Sequence, residues 1–249
     1  MKEIILNVND YSIELGNFNL KHINLAINEG ELFALLGKTG SGKTVLLESI
    51  AGFYHRFTGD ISIKGQSVIS IPLEKRQIGF VYQDFGLFNH MTVYENIIYG
   101  LKINGKSRDE QQLKAHEMAQ MLSIEHLLNQ YPLTLSGGER QRTALGRALI
   151  MKPRLLLMDE PFSSLDPATK EIMYQQIEKI HNIFNCTIIF VTHDFNEARR
   201  MANRIGIMMD GELRGIRNSE NLFVPNGDQK IDQFLFGERN NNERISIMY

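Results

Sequence analysis

Five short apolar runs punctuate the chain: LFALL at 32–36, IGFVY at 78–82, LLLM at 155–158, TIIFV at 187–191 and IGIMM at 205–209. None alternates between apolar and polar positions, which is the pattern of strands covered on both faces in a parallel sheet. The first thirty residues read differently: EIILNV and HINLAI are shorter and alternate, predicting an antiparallel flank. Between Thr92 and Leu128 the period turns helical, with Leu113, Ala119, Leu122 and Leu127 near helical spacing. This block interrupts the succession of strands. It predicts a helical subdomain, about residues 84–150, inserted into an α/β core. A further helix is predicted over 166–184, where Asp166 caps the start and Pro167 takes the first position. Ile172, Ile177, Ile180 and Phe184 are expected on its packed side. No internal repeat is evident. The reading is one domain over 1–240 and a short, loosely ordered polar tail at 241–249.

Composition narrows the function classes. With 249 residues, 43% hydrophobic and 22% charged, the chain can bury a core without disulfide or metal staples. A net charge of -2 gives no chain-wide basic footprint, so nucleic acid is not an expected partner. The single cysteine, Cys186, excludes an intramolecular disulfide framework, and MKEIILNVND does not resemble a signal peptide. The apolar runs fall far short of the ~20 residues that span a bilayer. The chain is not expected to form a pore alone, and a cytoplasmic location is the default.

Residues 37–44, Gly37-Lys38-Thr39-Gly40-Ser41-Gly42-Lys43-Thr44, match G-x-x-x-x-G-K-[ST] in full. LFALL precedes the match as a strand and TVLLESIAG follows it as a helix. The glycines permit a tight backbone that aims successive N–H groups at phosphate oxygens, and the helix start favours the same anion. Lys43 is expected on the β- and γ-phosphates and the Thr44 hydroxyl on Mg²⁺. The alternative, an ordinary glycine-rich turn with an exposed lysine, leaves this context unexplained. A second constellation closes the run LLLM with Asp159 and Glu160, two carboxylates at the C-terminal end of a buried strand, where ligands gather in open α/β sheets. Asp159 is expected to hold Mg²⁺ through water and Glu160 to polarise an attacking water. Read alone, the pair would be an acidic cap before the turn at Pro161; paired with the phosphate loop, it reads as catalytic.

Residues 135–142, Leu-Ser-Gly-Gly-Glu-Arg-Gln-Arg, carry the most specific signal. Ser136 and the amides of Gly137 and Gly138 precede a helical stretch and form a second anion-binding helix start. Ser136 and Glu139 also fit a capping box. The octapeptide resembles the signature motif of ATP-binding cassette (ABC) ATPases. The resemblance covers residues 1 to about 240 and implies an α/β fold, with a P-loop NTPase core of mostly parallel sheet, the antiparallel flank and the helical subdomain. In that family, the signature of one subunit closes over ATP held by the phosphate loop of the other. Ser136, Gly138 and Asp166, the last in Ser164-Leu165-Asp166, are therefore expected to complete the site in a second copy of the chain. Gln83 resembles the glutamine that contacts Mg²⁺ and the attacking water. His193, 33 residues beyond Glu160, resembles the switch histidine on the γ-phosphate. Two positions depart from the pattern. Leu15 stands where the family usually stacks an aromatic ring on adenine, leaving Phe18, or failing it Tyr11, as substitutes. Asn89 stands where importers usually carry proline, which affects a turn.

GLFNHMTVYENIIYGL resembles the importer branch, and GKTGSGKTVLLESIAGF, YPLTLSGGERQR and LGNFNL are most similar to ATP-binding subunits of molybdate/tungstate importers, with sulfate, iron and sugar importers close behind. This resemblance implies ATP and Mg²⁺ as cofactors, integral membrane permease subunits as partners, a solute-binding protein indirectly, and a peripheral place at the cytoplasmic face of the membrane. Longer relatives carry a regulatory barrel after a segment similar to residues 232–237, and the short remainder here leads to the expectation that it is absent. A soluble cassette of repair, translation or regulation is the other reading, but no sustained heptads and only one phosphate loop occur. A P-loop kinase or GTPase would leave LSGGERQR unexplained.

Overall fold

Two sheets divide the chain. The structure, a computed structural model, describes residues 3–163, 165–225 and 227–246, with side chains through Gly237. Strands β1 (Ile4–Leu15), β2 (Phe18–Asn28), β4 (Thr58–Ile63) and β5 (Gln66–Ser67) form the antiparallel flank in the order β2-β1-β4-β5. The main sheet holds β3 (Leu32–Leu36), β6 (Ile78–Val81), β7 (Leu155–Asp159), β8 (Thr187–Thr192), β9 (Arg204–Met209) and β10 (Glu212–Asn218). Its order is β10-β9-β3-β8-β7-β6, parallel except for β10. The helices are α1 (Lys43–Ala51), α2 (Val93–Ile103), α3 (Arg108–Met121), α4 (Gly137–Leu149), α5 (Pro167–Phe184), α6 (Phe195–Met201) and α7 (Gln229–Ser246).

The apolar runs lack alternation because both faces of the main sheet are covered. Leu156, Met158, Ile188 and Phe190 pack toward the helices α2, α3, α4 and α5. Leu155, Leu157, Ile189 and Val191 pack toward α1 and the antiparallel flank. The inserted helices α2–α4 all lie between β6 and β7, as the interrupted pattern predicts.

Register gathers the strand ends. Val81 pairs with Met158, Asp159 with Val191, and Leu36 with Thr192, so β6, β7, β8 and β3 finish side by side. The segments that leave those ends carry Gln83, Glu160, His193 and the glycine-rich loop. A junction ties this edge to the flank: Gly211, in the β9–β10 turn, donates its N–H to Ser41 O at 3.2 Å and accepts from Lys21 N at 2.9 Å. Gly211 has φ +78, and a Cβ there would lie 2.0 Å from Asn19 O.

Four sequence expectations need correction. Leu113 is 62% exposed and Ile172 is 49% exposed. At 100° per residue, Leu113 stands opposite Leu122, and Ile172 lies five residues before Ile177, off the packed stripe. Met173 and Tyr174, at the i−4 and i−3 positions, are buried instead. Strand β6 ends at Val81, one residue short of the predicted run. The segment expected as a loose tail continues α7 as far as Ser246, and residues 247–249 lie outside the described residues. Among the described residues, no helix is long and apolar enough to cross a membrane.

Candidate active site

The phosphate loop leaves β3 at Leu36 and enters α1 at Lys43. Gly42 caps that helix at φ +100, a left-handed conformation that side chains rarely adopt. The Lys43 ammonium is buried and donates to Gly37 O at 2.7 Å and Lys38 O at 2.9 Å. Burial pulls its pKa below the ordinary lysine value, while the negative charges of Glu160 and Asp159 oppose the shift. The Ser41 hydroxyl is also buried and has no hydrogen-bond partner among the described residues. Thr44, the first residue inside the helix after Lys43, donates its hydroxyl to Asp159 Oδ1 at 3.0 Å.

Asp159 ends β7 as a buried carboxyl. Desolvation raises its pKa, partly offset by the Thr44 hydrogen bond. Consecutive strand residues would point to opposite faces, yet both acids act electrostatically on Lys43 because the chain turns at once. Glu160 has φ +43, in the left-handed region. Ser163 fastens that turn, donating to Glu160 O through its backbone N–H at 3.2 Å and its hydroxyl at 3.0 Å. On the next strand, His193 follows β8, and its Nδ1 lies 3.3 Å from Glu160 Oε2. A cleft of about 250 Å³ is lined by Phe18, Thr39, Gly40, Gly42, Lys43, Thr44, Val45, Gln83 and Glu160. A larger cavity of about 570 Å³ lies against Lys38, Thr39, Gly40 and Ser41, the end of β9 and α7, but neither Asp159, Glu160 nor His193 lines it.

Phe18 reaches the cleft and Tyr11 does not. Phe18 is half-buried against Gly42, where a Cβ would lie 2.7 Å from its ring. Tyr11 is fully buried, its ring 5.0 Å from that of Phe57, and is therefore a core residue. Ser136 caps α4 in a complete capping box with Glu139, and Asp166 caps α5 by accepting from Ala168 N and Thr169 N. Gly138 is buried against Thr169. Neither Ser136, Gly138 nor Asp166 lines the cleft. Ser164 lies outside the described residues.

A phosphate loop, a hydroxyl–carboxylate pair and a glutamate facing a histidine make up a nucleotide-hydrolysing constellation, and the first turn of α4 with Ser136 and Gly138 does not line its cleft. The sequence model described as "ABC transporter" matches residues 20–163, more than half of the chain. This chain belongs to the ABC transporter family. The molybdate/tungstate import ATP-binding protein WtpC of Pyrococcus horikoshii is 42% identical over 93% of this ABC ATPase and 67% of its own length. The sulfate/thiosulfate import ATP-binding protein CysA of Synechocystis is 40% identical over 87% of the chain and 61% of its own length. The chain thus spans about two thirds of the length of these curated relatives. Among solved structures, cbiO1 of Clostridium perfringens, part of the transporter complex cbiONQ, superposes with a TM-score of 0.82 at 27% identity, covering 90% of this chain and 92% of its own. The dimeric cassette MJ0796, in a post-hydrolysis state bound to ADP and Pi, gives 0.77 at 32% identity, covering 86% and 99%. The ABC ATPase binds and hydrolyses ATP, and its relatives group it with importer subunits rather than soluble cassettes.

The structure also ties the site of this ABC ATPase to residues that sequence reasoning overlooked. Arg147 of α4 donates to Gly86 O at 2.7 Å and Phe85 O at 3.1 Å, anchoring the loop that follows Gln83. The buried Asn96 of α2 braces the far end of that loop, accepting from Phe88 N and donating to Phe88 O and Met91 O. Gln141 of α4, also buried, donates its side-chain amide to Pro161 O beside Glu160. A buried amide side chain on an otherwise apolar helix face was the available signal for Asn96. Arg147 carried none, because its partners are more than sixty residues away.

Proposed function

We propose that this ABC ATPase is the motor subunit of an importer for a small tetrahedral oxyanion, of which molybdate or tungstate is the first choice. The observation that carries the mechanism is the convergence of Lys43, Thr44, Asp159, Glu160 and His193 on one edge of the sheet. The relatives named for molybdate/tungstate and for sulfate/thiosulfate support the substrate class.

Lys43 exchanges its two loop carbonyls for the β- and γ-phosphates, and the loop N–H groups bind the remaining oxygens. Glu160 orients the attacking water and accepts its proton, and His193, held beside it, donates to the γ-phosphate. Phe18 offers its ring to the base. The donor set fits Mg²⁺: Asp159 is a buried carboxylate beside the Thr44 hydroxyl, and Gln83 lines the same cleft. Among the described residues, no cluster of three His, Cys, Asp or Glu side chains offers a cation site of its own, so phosphate oxygens would complete the coordination. When bound, Mg²⁺ supplies neutralising charge for the phosphates.

Ser136, Gly138 and Asp166 act in trans, capping ATP on the phosphate loop of a second copy. Two ATP molecules are sandwiched head to tail in a closed two-fold dimer. The dimer sits at the cytoplasmic face of the membrane on permease subunits that take the solute from a binding protein. ATP-driven closure shifts the permease between its access states, and hydrolysis reopens the dimer. Purification of the tagged subunit from native membranes tests this reading. Integral permease subunits should co-purify, and molybdate or tungstate with its binding protein should stimulate ATP turnover. A subunit recovered without any integral partner would overturn the transport assignment.

A further inference from the structure

The carboxylate of Glu197 is buried and lies outside the cleft. Glu197 sits on α6; its Oε1 accepts from Lys170 Nζ at 2.7 Å and its Oε2 from the Thr192 hydroxyl. The Thr192 oxygen in turn accepts from Asp194 N at 3.0 Å. The hydroxyl therefore bridges the residues on either side of His193 and ties both to Glu197. A buried carboxylate with two charge-assisted bonds is a rigid anchor, and losing one partner leaves it uncompensated. The anchor also has a far end. Lys170 lies on the first turn of α5, four residues after the cap Asp166, and Lys170 N donates to Asp166 O at 2.9 Å. One chain of contacts thus runs from the Asp166 cap through Lys170, Glu197 and Thr192 to His193, whose ring faces Glu160.

We infer that Glu197 is a positioning residue that sets the angle of His193 toward Glu160 and makes that angle follow the first turn of α5. Because Asp166 is read as reaching the second copy, the anchor makes hydrolysis in one site responsive to dimer closure. The inference rests on the proposed roles of His193 and Asp166. It adds a link between them that neither residue supplies alone. None of Lys170, Thr192 or Glu197 touches substrate in this scheme. Their effect is on geometry, and small misplacements of a reacting group are costly.

The test is steady-state ATP turnover of the purified subunit carrying Lys170→Met, Thr192→Val or Glu197→Gln. Each is read with nucleotide affinity and the melting temperature. Lys170→Met and Thr192→Val should lower kcat by about 10- to 100-fold with KM changed less than about threefold. Lys170→Arg and Thr192→Ser, which keep the bonds, should recover most of the rate. Should Glu197→Gln fail to fold, the other two variants still decide the matter. In a His193→Ala background, Lys170→Met should cost little more, because the residue through which it acts is gone. Wild-type kcat in Lys170→Met, a loss that tracks the folded fraction, or a full further loss without His193 would overturn the inference. His193→Ala alone separates the two readings. If it hydrolyses ATP normally, the role of His193 is wrong. If it is slowed well below wild type while Lys170→Met is normal, only the anchor is wrong.

Discussion

Lys43 is a buried ammonium whose two partners are carbonyls of the loop that it closes. Desolvation lowers its pKa, so the folded state disfavours its charged form. For a lysine with a lowered folded pKa, this penalty is present at neutral pH and fades as pH rises through the folded value. Lys43→Met should therefore melt higher than wild type without nucleotide and gain far less on adding Mg²⁺-ATP; paired thermal melts check both signs. Glu160 is a different case, since its left-handed backbone holds the side chain proposed to activate a water. Glu160→Gln should retain ATP binding and lose about 10²-fold or more in turnover, measured by phosphate release. Near-normal hydrolysis would remove Glu160 from the mechanism. Both residues were legible because glycine spacing and a strand-end acid pair are local signals. Lys170 and Glu197 were not, since their partnership spans 27 positions and has no local signature.

Helix α4 carries two duties on its first turn. The Ser136–Glu139 capping box pairs the N–H groups of those two residues, and the Ser136 hydroxyl is also assigned, as a proposal, to a second copy's ATP. The Ser136 N–H and hydroxyl bonds hold the Glu139 pKa below its ordinary value of 4.5. A depressed carboxylate contributes stability that is complete above the unfolded value and disappears as pH falls through the folded one. Glu139→Gln should flatten the decline in stability below about pH 5, followed by denaturant melts across pH. Ser136→Ala should cost about 1 kcal/mol at neutral pH. Caps of this kind were read correctly from sequence, as at Ser136 and Asp166, because they are defined within four residues. Helix faces were read less well. Leu113 and Ile172 are apolar and near the right spacing, but only the packed structure distinguishes Met173 and Tyr174 as the buried positions.

At the scale of the molecule, Ser136, Gly138 and Asp166 do not line the phosphate cleft of their own chain, and the proposed site is completed by a second copy. Sedimentation of Glu160→Gln with Mg²⁺-ATP should give a dimer. Ser136→Ala added to it should give a monomer that still binds nucleotide. A monomer in the first case would end the sandwich reading. The layered fold was legible because parallel strands covered on both faces leave an unmistakable apolar pattern; the junction between the two sheets was not. Gly211 joins β2, the β9–β10 turn and Ser41 of the phosphate loop, with an Asn19 carbonyl where any side chain would have to go. The antiparallel flank is therefore no interchangeable module. A chimera that borrows its flank from a relative must match the Asn19–Lys21 backbone to within a fraction of an ångström, or it will misplace the loop that holds the fuel. Recombination among such motors is constrained at a seam that touches the phosphate loop itself, through the Gly211 N–H to Ser41 O.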